Sequence, residues 1–332
     1  MHSASKYLIY NIDLINTFLT IFTKKNEKSF LPKYKDISTT KKFFFIKYKS
    51  EVNMSEKFST KKTILLIVVS FVLYLAGALL SSFFMDFVFK FITFENKTVY
   101  AIFRHISDFA FVFLLLWLCI YKFFHLKFED FGINLHFKWW GPVTAVLLAA
   151  YMVIVYLIVG KLSINEHTPA ERVILILNSL FLGLQSGFLE EILFRGIFMK
   201  SLENRWNKTV AIWAPSLFFS LVHIPGMTSF SVIGILVLIV AGTMVGVMFS
   251  TAAYKGCSIA NSAIIHAIWN FTLIANVFDI APEGAEYANS IFSISLPTNN
   301  IFITGSDFGI EASIFAIIAY VVVSLILMPK KK

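Results

Sequence analysis

The sequence predicts an all-α polytopic membrane protein with about eight transmembrane helices. Of its 332 residues, 57% are hydrophobic and only 15% are charged, whereas a typical soluble domain carries about 25% charged residues. The apolar residues form runs of about 20 residues, the length that spans a bilayer as a helix. A few ionisable side chains lie inside these runs, where charges are costly and usually mark function.

The N-terminal residues 1–53 differ from the rest of the chain. They mix lysines with aromatic and polar residues and contain no apolar run of membrane length, and no small-residue cleavage site identifies them as a signal peptide. The stretch MSEKFSTKKTILLIVV, which begins at Met54, resembles the natural start of a membrane protein. We therefore expect an N-terminal extension at 1–53, hypothesised to lie upstream of the true start, and an eight-span membrane domain at 54–332.

Eight membrane spans are predicted from the length of the apolar runs. The loops between them suggest an orientation, because basic residues accumulate in cytoplasmic loops. Loop 279–309 contains no Lys or Arg, whereas the loops on the opposite side and the PKKK tail are basic. We expect a multi-pass protein of the cell membrane with both termini in the cytoplasm. The predicted spans cover about 63–85, 99–121, 141–160, 172–199, 209–224, 230–254, 257–278 and 310–328.

The charge and cysteine content exclude several other classes of protein. The formal net charge is +9, but the basic residues flank apolar runs, which favours contact with anionic lipid over nucleic acid. Cys119 and Cys257 lack the spacing of a metal site and are expected to be free thiols. The sequence has no glycine-rich phosphate loop.

Pairs of small residues predict close contacts between helices. Gly183 and Gly187 are four residues apart, as are Gly242 and Gly246. Small residues at this spacing let two helices approach closely in lipid. We interpret these glycines as packing residues.

Polar residues on three different spans are predicted to share one depth in the membrane. Glu190 and His266 lie about 15 Å from the cytoplasmic surface and His223 about 20 Å, at a rise of 1.5 Å per residue. Asn270 lies one turn beyond His266 on the same helix face. This agreement in depth predicts that the helices enclose one intramembrane catalytic cavity.

The two adjacent glutamates are predicted to have different roles. Glu191 and Arg195 are four residues apart on one helix face and can form an ion pair. Glu190 points about 100° away and is left to face the histidines.

One carboxylate, two imidazoles and an amide can hydrolyse a peptide bond with water as the nucleophile. The carboxylate takes a proton from the water, an imidazole positions it or passes a proton to the leaving amine, and His and Asn donors stabilise an oxyanion. Glu with two His is also a zinc ligand set, although the sequence has no HExxH helix. A proton-relay transporter is a further alternative, weakened by the lack of an internal repeat.

The sequence resembles the CPBP intramembrane proteases, also called the Abi family, which groups CAAX prenyl proteases with bacteriocin-processing and immunity proteins. Three motifs carry the resemblance over about residues 172–275, which would form the protease core: EExxxR at 190–195, FxxxH at Phe219–His223 and HxxxN at 266–270. The resemblance implies a glutamic protease. In it Glu190 and His223 activate water, His266 and Asn270 stabilise the oxyanion, and Glu191, Arg195 and Phe219 support the site.

The predicted function is an intramembrane endopeptidase that cleaves a membrane-associated or peptide substrate with glutamate- and histidine-activated water. The alternative is a non-catalytic bacteriocin self-immunity or binding protein of the same fold. We expect no cofactor, with zinc as the less favoured alternative. The expected partners are the substrate and the lipid bilayer, without nucleic acid.

Overall fold

The structure, a computed structural model, describes residues 57–92, 96–227, 230–285 and 289–328. The N-terminal extension predicted at 1–53 and the proposed start at Met54 lie outside the described residues. The division of the chain at that point therefore stays a prediction.

Helices make up most of the described chain, and they follow the predicted apolar runs closely. Three of them continue directly as π-helices, at Cys119–Phe123, Ile192–Phe198 and Asn270–Ile274. The helices are α1 Thr60–Val88, α2 Lys97–Leu118, α3 Trp140–Val159, α4 Pro169–Glu191, α5 Met199–Arg205, α6 Lys208–His223, α7 Val232–Gly256, α8 Ala260–Trp269, α9 Ile301–Thr304 and α10 Ile314–Leu327.

Six helices in the described part of the chain are long and apolar enough to cross a membrane. They correspond to the first six predicted runs. The seventh and eighth runs contain the shorter helices α8 and α10. The predicted fold class, an all-α polytopic membrane protein, is confirmed. The six spans are Thr60–Val88, Lys97–Phe123, Trp140–Val159, Pro169–Arg205, Lys208–Gly226 and Val232–Gly256.

The outer faces of the helices are apolar, as expected for side chains that contact lipid. On α3, Leu147 is 64% exposed and Ile158 is 80% exposed, and Val146 and Ile154 on the same helix are also exposed. An apolar surface of this extent would be unfavourable in water. The chain is a multi-pass membrane protein.

Helix α1 begins, and helix α10 ends, at the same end of the bundle. Arg205 Nε donates to Thr60 Oγ1 at 2.8 Å, which joins the start of α1 to the end of α5. Lys255 Nζ donates to the carbonyl of Ile326 at 3.2 Å, which joins the end of α7 to the end of α10. Lys208 Nζ lies 5.6 Å from the ring centre of Tyr254 and links these two contacts. We call this the Arg205 end.

A three-stranded sheet covers the opposite end of the bundle. Its strands are β1 Lys161–Ile164, β2 Phe278–Pro282 and β3 Phe292–Leu296, in the order β1-β3-β2. β3 pairs antiparallel with β1 and parallel with β2. The sequence predicts loops in this region. Each strand is too short for a membrane span, and strands that pair across a long stretch of chain leave no local sequence pattern.

The predicted glycine pairs make the close contacts between the helices that carry the polar residues. A Cβ at Gly187 would lie 2.7 Å from the backbone nitrogen of Ala267, so α4 and α8 are in direct backbone contact. A Cβ at Gly246 would lie 2.7 Å from Cβ of Ser216, which brings α6 and α7 together in the same way. Packing of this kind positions the motif residues with little freedom.

Candidate active site

A cavity of about 360 Å³ lies inside the bundle, where α4, α6, α7 and α8 meet. The four residues predicted to be catalytic, Glu190, His223, His266 and Asn270, all line it. They come from three separate helical segments, as the agreement in depth predicts. Other residues that line the cavity are His105, Gln185, Ser186, Phe219, Phe249, Trp269, Phe308, Glu311 and Tyr320.

A fully buried ion pair supports the wall of the cavity. Arg195 Nη1 donates to Glu191 Oε1 at 3.0 Å, and both side chains are 0% exposed. Arg195 Nη2 also donates to the carbonyl of Gly246 at 3.2 Å. The guanidinium lies 4.8 Å from the ring centre of Phe219 and 5.1 Å from that of Phe249, within the range of cation–π attraction. The i, i+4 pair predicted from the sequence is present, with Phe219 beside it.

His266 lies between the two glutamates. Its Nδ1 is 3.3 Å from Glu191 Oε1, to which it donates, and its Nε2 is 3.8 Å from Glu190 Oε2. The ring stacks on Phe249 with centroids 4.6 Å apart. The sequence predicted that Glu191 pairs with Arg195; the structure adds His266 as a second partner. The result is a continuous polar chain from Arg195 through Glu191 to His266.

Glu190 faces the cavity and not the lipid. Its side chain is 18% exposed. Its Oε2 atom is buried and has no hydrogen-bond partner among the residues that the structure describes. A buried acceptor without a partner is unfavourable by about 1–3 kcal/mol, so such an atom is available to accept a hydrogen bond from a molecule inside the cavity.

His223 is held at the end of α6 by its own helix. Its Nδ1 donates to the carbonyl of Phe219 at 2.7 Å, one turn earlier. The Phe219 ring lies against the imidazole, with centroids 4.5 Å apart. With Nδ1 engaged in this way, Nε2 is the nitrogen that can accept a hydrogen bond inside the cavity.

Asn270 is oriented by Ser186, a residue that none of the three sequence motifs includes. Asn270 Nδ2 donates to Ser186 Oγ at 2.7 Å, and Ser186 Oγ donates in turn to the carbonyl of Leu182 at 2.8 Å. Ser186 precedes Glu190 by one helical turn, which places it on the same face of α4. That spacing is the signal by which the sequence could have identified it.

Two of the three motifs lie at the junction between an α-helix and a π-helix. α4 ends at Glu191 and continues as the π-helix Ile192–Phe198, which contains Arg195. α8 ends at Trp269, and Asn270 begins the π-helix Asn270–Ile274. Single π-helical turns inside α-helices occur frequently at functional sites. Their position here indicates that both helices are adjusted locally to present the motif side chains.

The comparison with protein families agrees with this geometry. The family model described as Rce1-like, type II CAAX prenyl endopeptidase, matches residues 172–272, a segment that contains all three motifs. Residues 172–272 form an Rce1-like domain. The family resemblance expected from the motifs is confirmed, and the domain indicates a CAAX protease-type hydrolase of the membrane. No curated protein matches the chain, and no solved structure does.

Glu311 was not predicted as part of the site, although it lines the cavity of the Rce1-like domain. It follows the matched segment by 39 residues and lies at the start of the last predicted apolar run. An ionisable residue within a predicted span is itself a sign of function, and that rule would have identified it. His105 and Gln185 likewise line the cavity, and their side chains are hydrogen-bonded to each other.

The ligands for zinc in the Rce1-like domain would have to be Glu190, His223 and His266. Within the described ranges, no three His, Cys, Asp or Glu side chains are grouped so that they could hold a metal ion. Each imidazole also has Nδ1 engaged with a protein oxygen. The expectation of no cofactor, with zinc as the less favoured alternative, stays a prediction that metal analysis of the purified protein tests.

Proposed function

We propose that this protein is an intramembrane glutamic endopeptidase that hydrolyses a peptide bond in a membrane-associated or peptide substrate. The observation that carries the proposal is the buried Oε2 of Glu190, which has no hydrogen-bond partner among the described residues and lies in a cavity with His223, His266 and Asn270. A carboxylate that can accept a proton from water is the group that this hydrolysis needs.

In the proposed first step, Glu190 and His223 hold and activate one water molecule. His223 accepts a hydrogen bond at Nε2, because its Nδ1 proton is committed to Phe219. Glu190 takes a proton as the water oxygen bonds to the carbonyl carbon, and a tetrahedral oxyanion forms. General base catalysis of this kind typically contributes a factor of about 10²–10⁴ in rate.

His266 and Asn270 are the proposed donors to the oxyanion. Asn270 uses one amide hydrogen for Ser186 and has a second available. Because His266 Nδ1 donates to Glu191, the ring can donate from Nε2, which lies on the Glu190 side of the cavity, only as the imidazolium. Preorganised donors stabilise the transition state because they need no reorientation as charge develops. The fixed chain from Arg195 to His266 supplies this rigidity.

The test is Glu190→Gln, which keeps the shape of the side chain and removes the base. Wild-type protein in proteoliposomes is screened against internally quenched peptides, with and without an S-farnesyl cysteine near the C-terminus. Where the wild type cleaves, we expect the variant to lose activity by a factor of about 10³. The matched control is Glu203→Gln, which makes the same change on α5, where Glu203 pairs with Lys200 at 2.9 Å outside the cavity.

Cleavage by Glu190→Gln at the wild-type rate would remove the basis of the proposal. The same variant distinguishes the endopeptidase from the alternative function. A non-catalytic immunity or binding protein would keep its protective phenotype in cells. An endopeptidase would lose both cleavage and phenotype.

A further inference from the structure

A segment near the C-terminus, residues 305–312, lines one side of the candidate active site. Phe308 and Glu311 both line the cavity. The Phe308 ring meets the His223 ring edge to face, with centroids 6.0 Å apart. The segment lies outside residues 172–272, the part matched by the family model. It therefore adds groups to the site that the three motifs do not contain.

The 305–312 segment has an irregular backbone, which two glycines and a contact from α10 hold in place. Gly305 and Gly309 have positive φ angles, +77° and +89°, which favour glycine. Tyr320 on α10 donates its hydroxyl hydrogen to the carbonyl of Glu311 at 3.2 Å. Irregular backbone within a membrane protein is tolerated where it lines a cavity. The backbone at Glu311 is thus held by the glycine turns that precede it and by Tyr320 on α10.

The Glu311 carboxyl has a defined orientation and polar neighbours. The Trp269 indole donates a hydrogen bond to it, and Trp269 lies three residues after His266 on α8. Among the described residues this carboxyl forms no ion pair, and an enclosed carboxyl without a countercharge is unfavourable in its charged form. The titratable groups that line the same cavity are Glu190 on α4, His223 on α6, His266 on α8, Tyr320 on α10 and His105 on α2.

The other proton-carrying groups of the cavity already have partners in the protein. His223 donates its Nδ1 proton to Phe219, and the Tyr320 hydroxyl donates to the Glu311 carbonyl. His266 donates from Nδ1 to Glu191 and, in the proposed function, from Nε2 to the oxyanion. His105 is hydrogen-bonded to Gln185. Glu190 must begin the reaction as a base. A protonated Glu311 is therefore the group best placed to act as an acid.

We propose that Glu311 is the proton donor to the leaving amine; this rests on the endopeptidase function proposed above. The cavity holds two carboxyl groups in different surroundings, which is the arrangement by which one site performs base and acid chemistry together. As the oxyanion reforms the carbonyl, the bond between carbon and nitrogen breaks and its electron pair goes to nitrogen. Glu311 supplies the proton to that nitrogen.

The proton balance closes without any other reagent. After cleavage, Glu190 carries the proton taken from water and Glu311 is ionised. The products are a new carboxyl terminus and a free amine. Transfer of the proton from Glu190 to Glu311 through water restores the starting state, so that one water molecule is consumed for each bond cleaved.

The test is Glu311→Gln, assayed with a peptide that the wild type cleaves and with the same acyl sequence as a p-nitroanilide. We expect kcat for the peptide to fall by a factor of about 10², with little change in KM. The p-nitroanilide should lose much less, because its leaving group is a weaker base than a peptide amine and depends less on a proton donor. Wild-type kcat/KM should fall as rising pH removes the proton of Glu311, and the variant should lack this decline.

Asp307→Asn is the matched control, since it makes the same change on the same segment at a side chain that accepts from Ser306 at 3.3 Å. It should behave as wild type. An equal loss on both substrates with the pH decline retained would assign Glu311 a purely structural role and overturn the inference. Wild-type behaviour of Glu311→Gln, with Glu190→Gln inactive, would overturn this inference and leave the proposed function standing. No cleavage by the wild type itself would overturn both.

Discussion

At the scale of single residues, two adjacent glutamates lie in opposite electrostatic settings. Glu191 has two buried cationic or donor partners, Arg195 and His266, whereas Glu190 Oε2 has no hydrogen-bond partner in the described part of the chain. The helix geometry separates them, because neighbouring residues point about 100° apart. One carboxylate can therefore hold the structure while the other remains available for chemistry.

The buried pair predicts a large loss of stability when one partner is removed. Arg195→Met leaves Glu191 without its main countercharge, which typically is unfavourable by about 3–5 kcal/mol. Adding Glu191→Gln to that variant should recover part of the loss, because the uncompensated charge is gone. Unfolding in mixed detergent micelles measures both effects.

Arg104→Met is the matched control for that measurement. Arg104 and Asp108 form a pair with the same i, i+4 spacing and an N–O distance of 2.9 Å, but the two side chains are 25% and 15% exposed. Arg104 lies about 10 Å from the start of its span, from where its long side chain can reach interfacial water. Water screens the pair, so its loss should change stability by about 1 kcal/mol or less. Equal effects of the two arginine substitutions would show that burial of the Arg195 pair carries no special stability.

Some of these residue roles follow from the sequence and others do not. The Glu191–Arg195 pair is local, so spacing alone predicts it. The contact from His266 to Glu191 joins residues 75 positions apart, and it depends on how α8 packs against α4. Glu311 could have been identified as an ionisable residue within a predicted span, but its place in the cavity depends on the folded chain.

At the scale of elements, close packing between helices determines the geometry of the site. The glycine pairs were recognisable from their spacing, and the structure places both in helix contacts. The π-helices at Ile192–Phe198 and Asn270–Ile274 and the small sheet were not predicted. A π-helical turn has no distinct sequence pattern, and β1 and β3 pair across about 130 residues, which a local pattern cannot reveal.

Gly187→Ala should disturb the site more than the fold. The added Cβ would meet the Ala267 backbone at 2.7–2.8 Å, where no side-chain rotation relieves the contact. We expect a destabilisation of about 1–3 kcal/mol. Activity should fall by at least a factor of about 10, because a displacement of 1 Å can reduce a rate by a factor of about 10².

Gly226→Ala is the control for this substitution, since a Cβ there would meet nothing within 4 Å although the residue follows His223 by only three positions. Rates of peptide cleavage and thermal unfolding are compared for the two variants. Full activity in Gly187→Ala would show that the spacing between α4 and α8 does not determine the site.

At the scale of the whole molecule, charge is distributed unequally between the two ends of the bundle. Lys200, Arg205, Lys208 and Lys255 lie at the Arg205 end, where α1 begins and α10 ends. The sheet end includes the stretch 279–309, which has no Lys or Arg. By the positive-inside rule we expect the Arg205 end to face the cytoplasm.

This orientation predicts the behaviour of reporter fusions in a bacterial host. Green fluorescent protein fused after residue 328 should be fluorescent, and alkaline phosphatase at the same place should be inactive, because the phosphatase folds only outside the cytoplasm. Alkaline phosphatase inserted at Gly284, in the turn that follows β2, should be active. Gly284 is a suitable site because a side chain there would meet nothing within 4 Å. The reverse pattern would place the sheet in the cytoplasm, and the charge distribution would then not determine the topology.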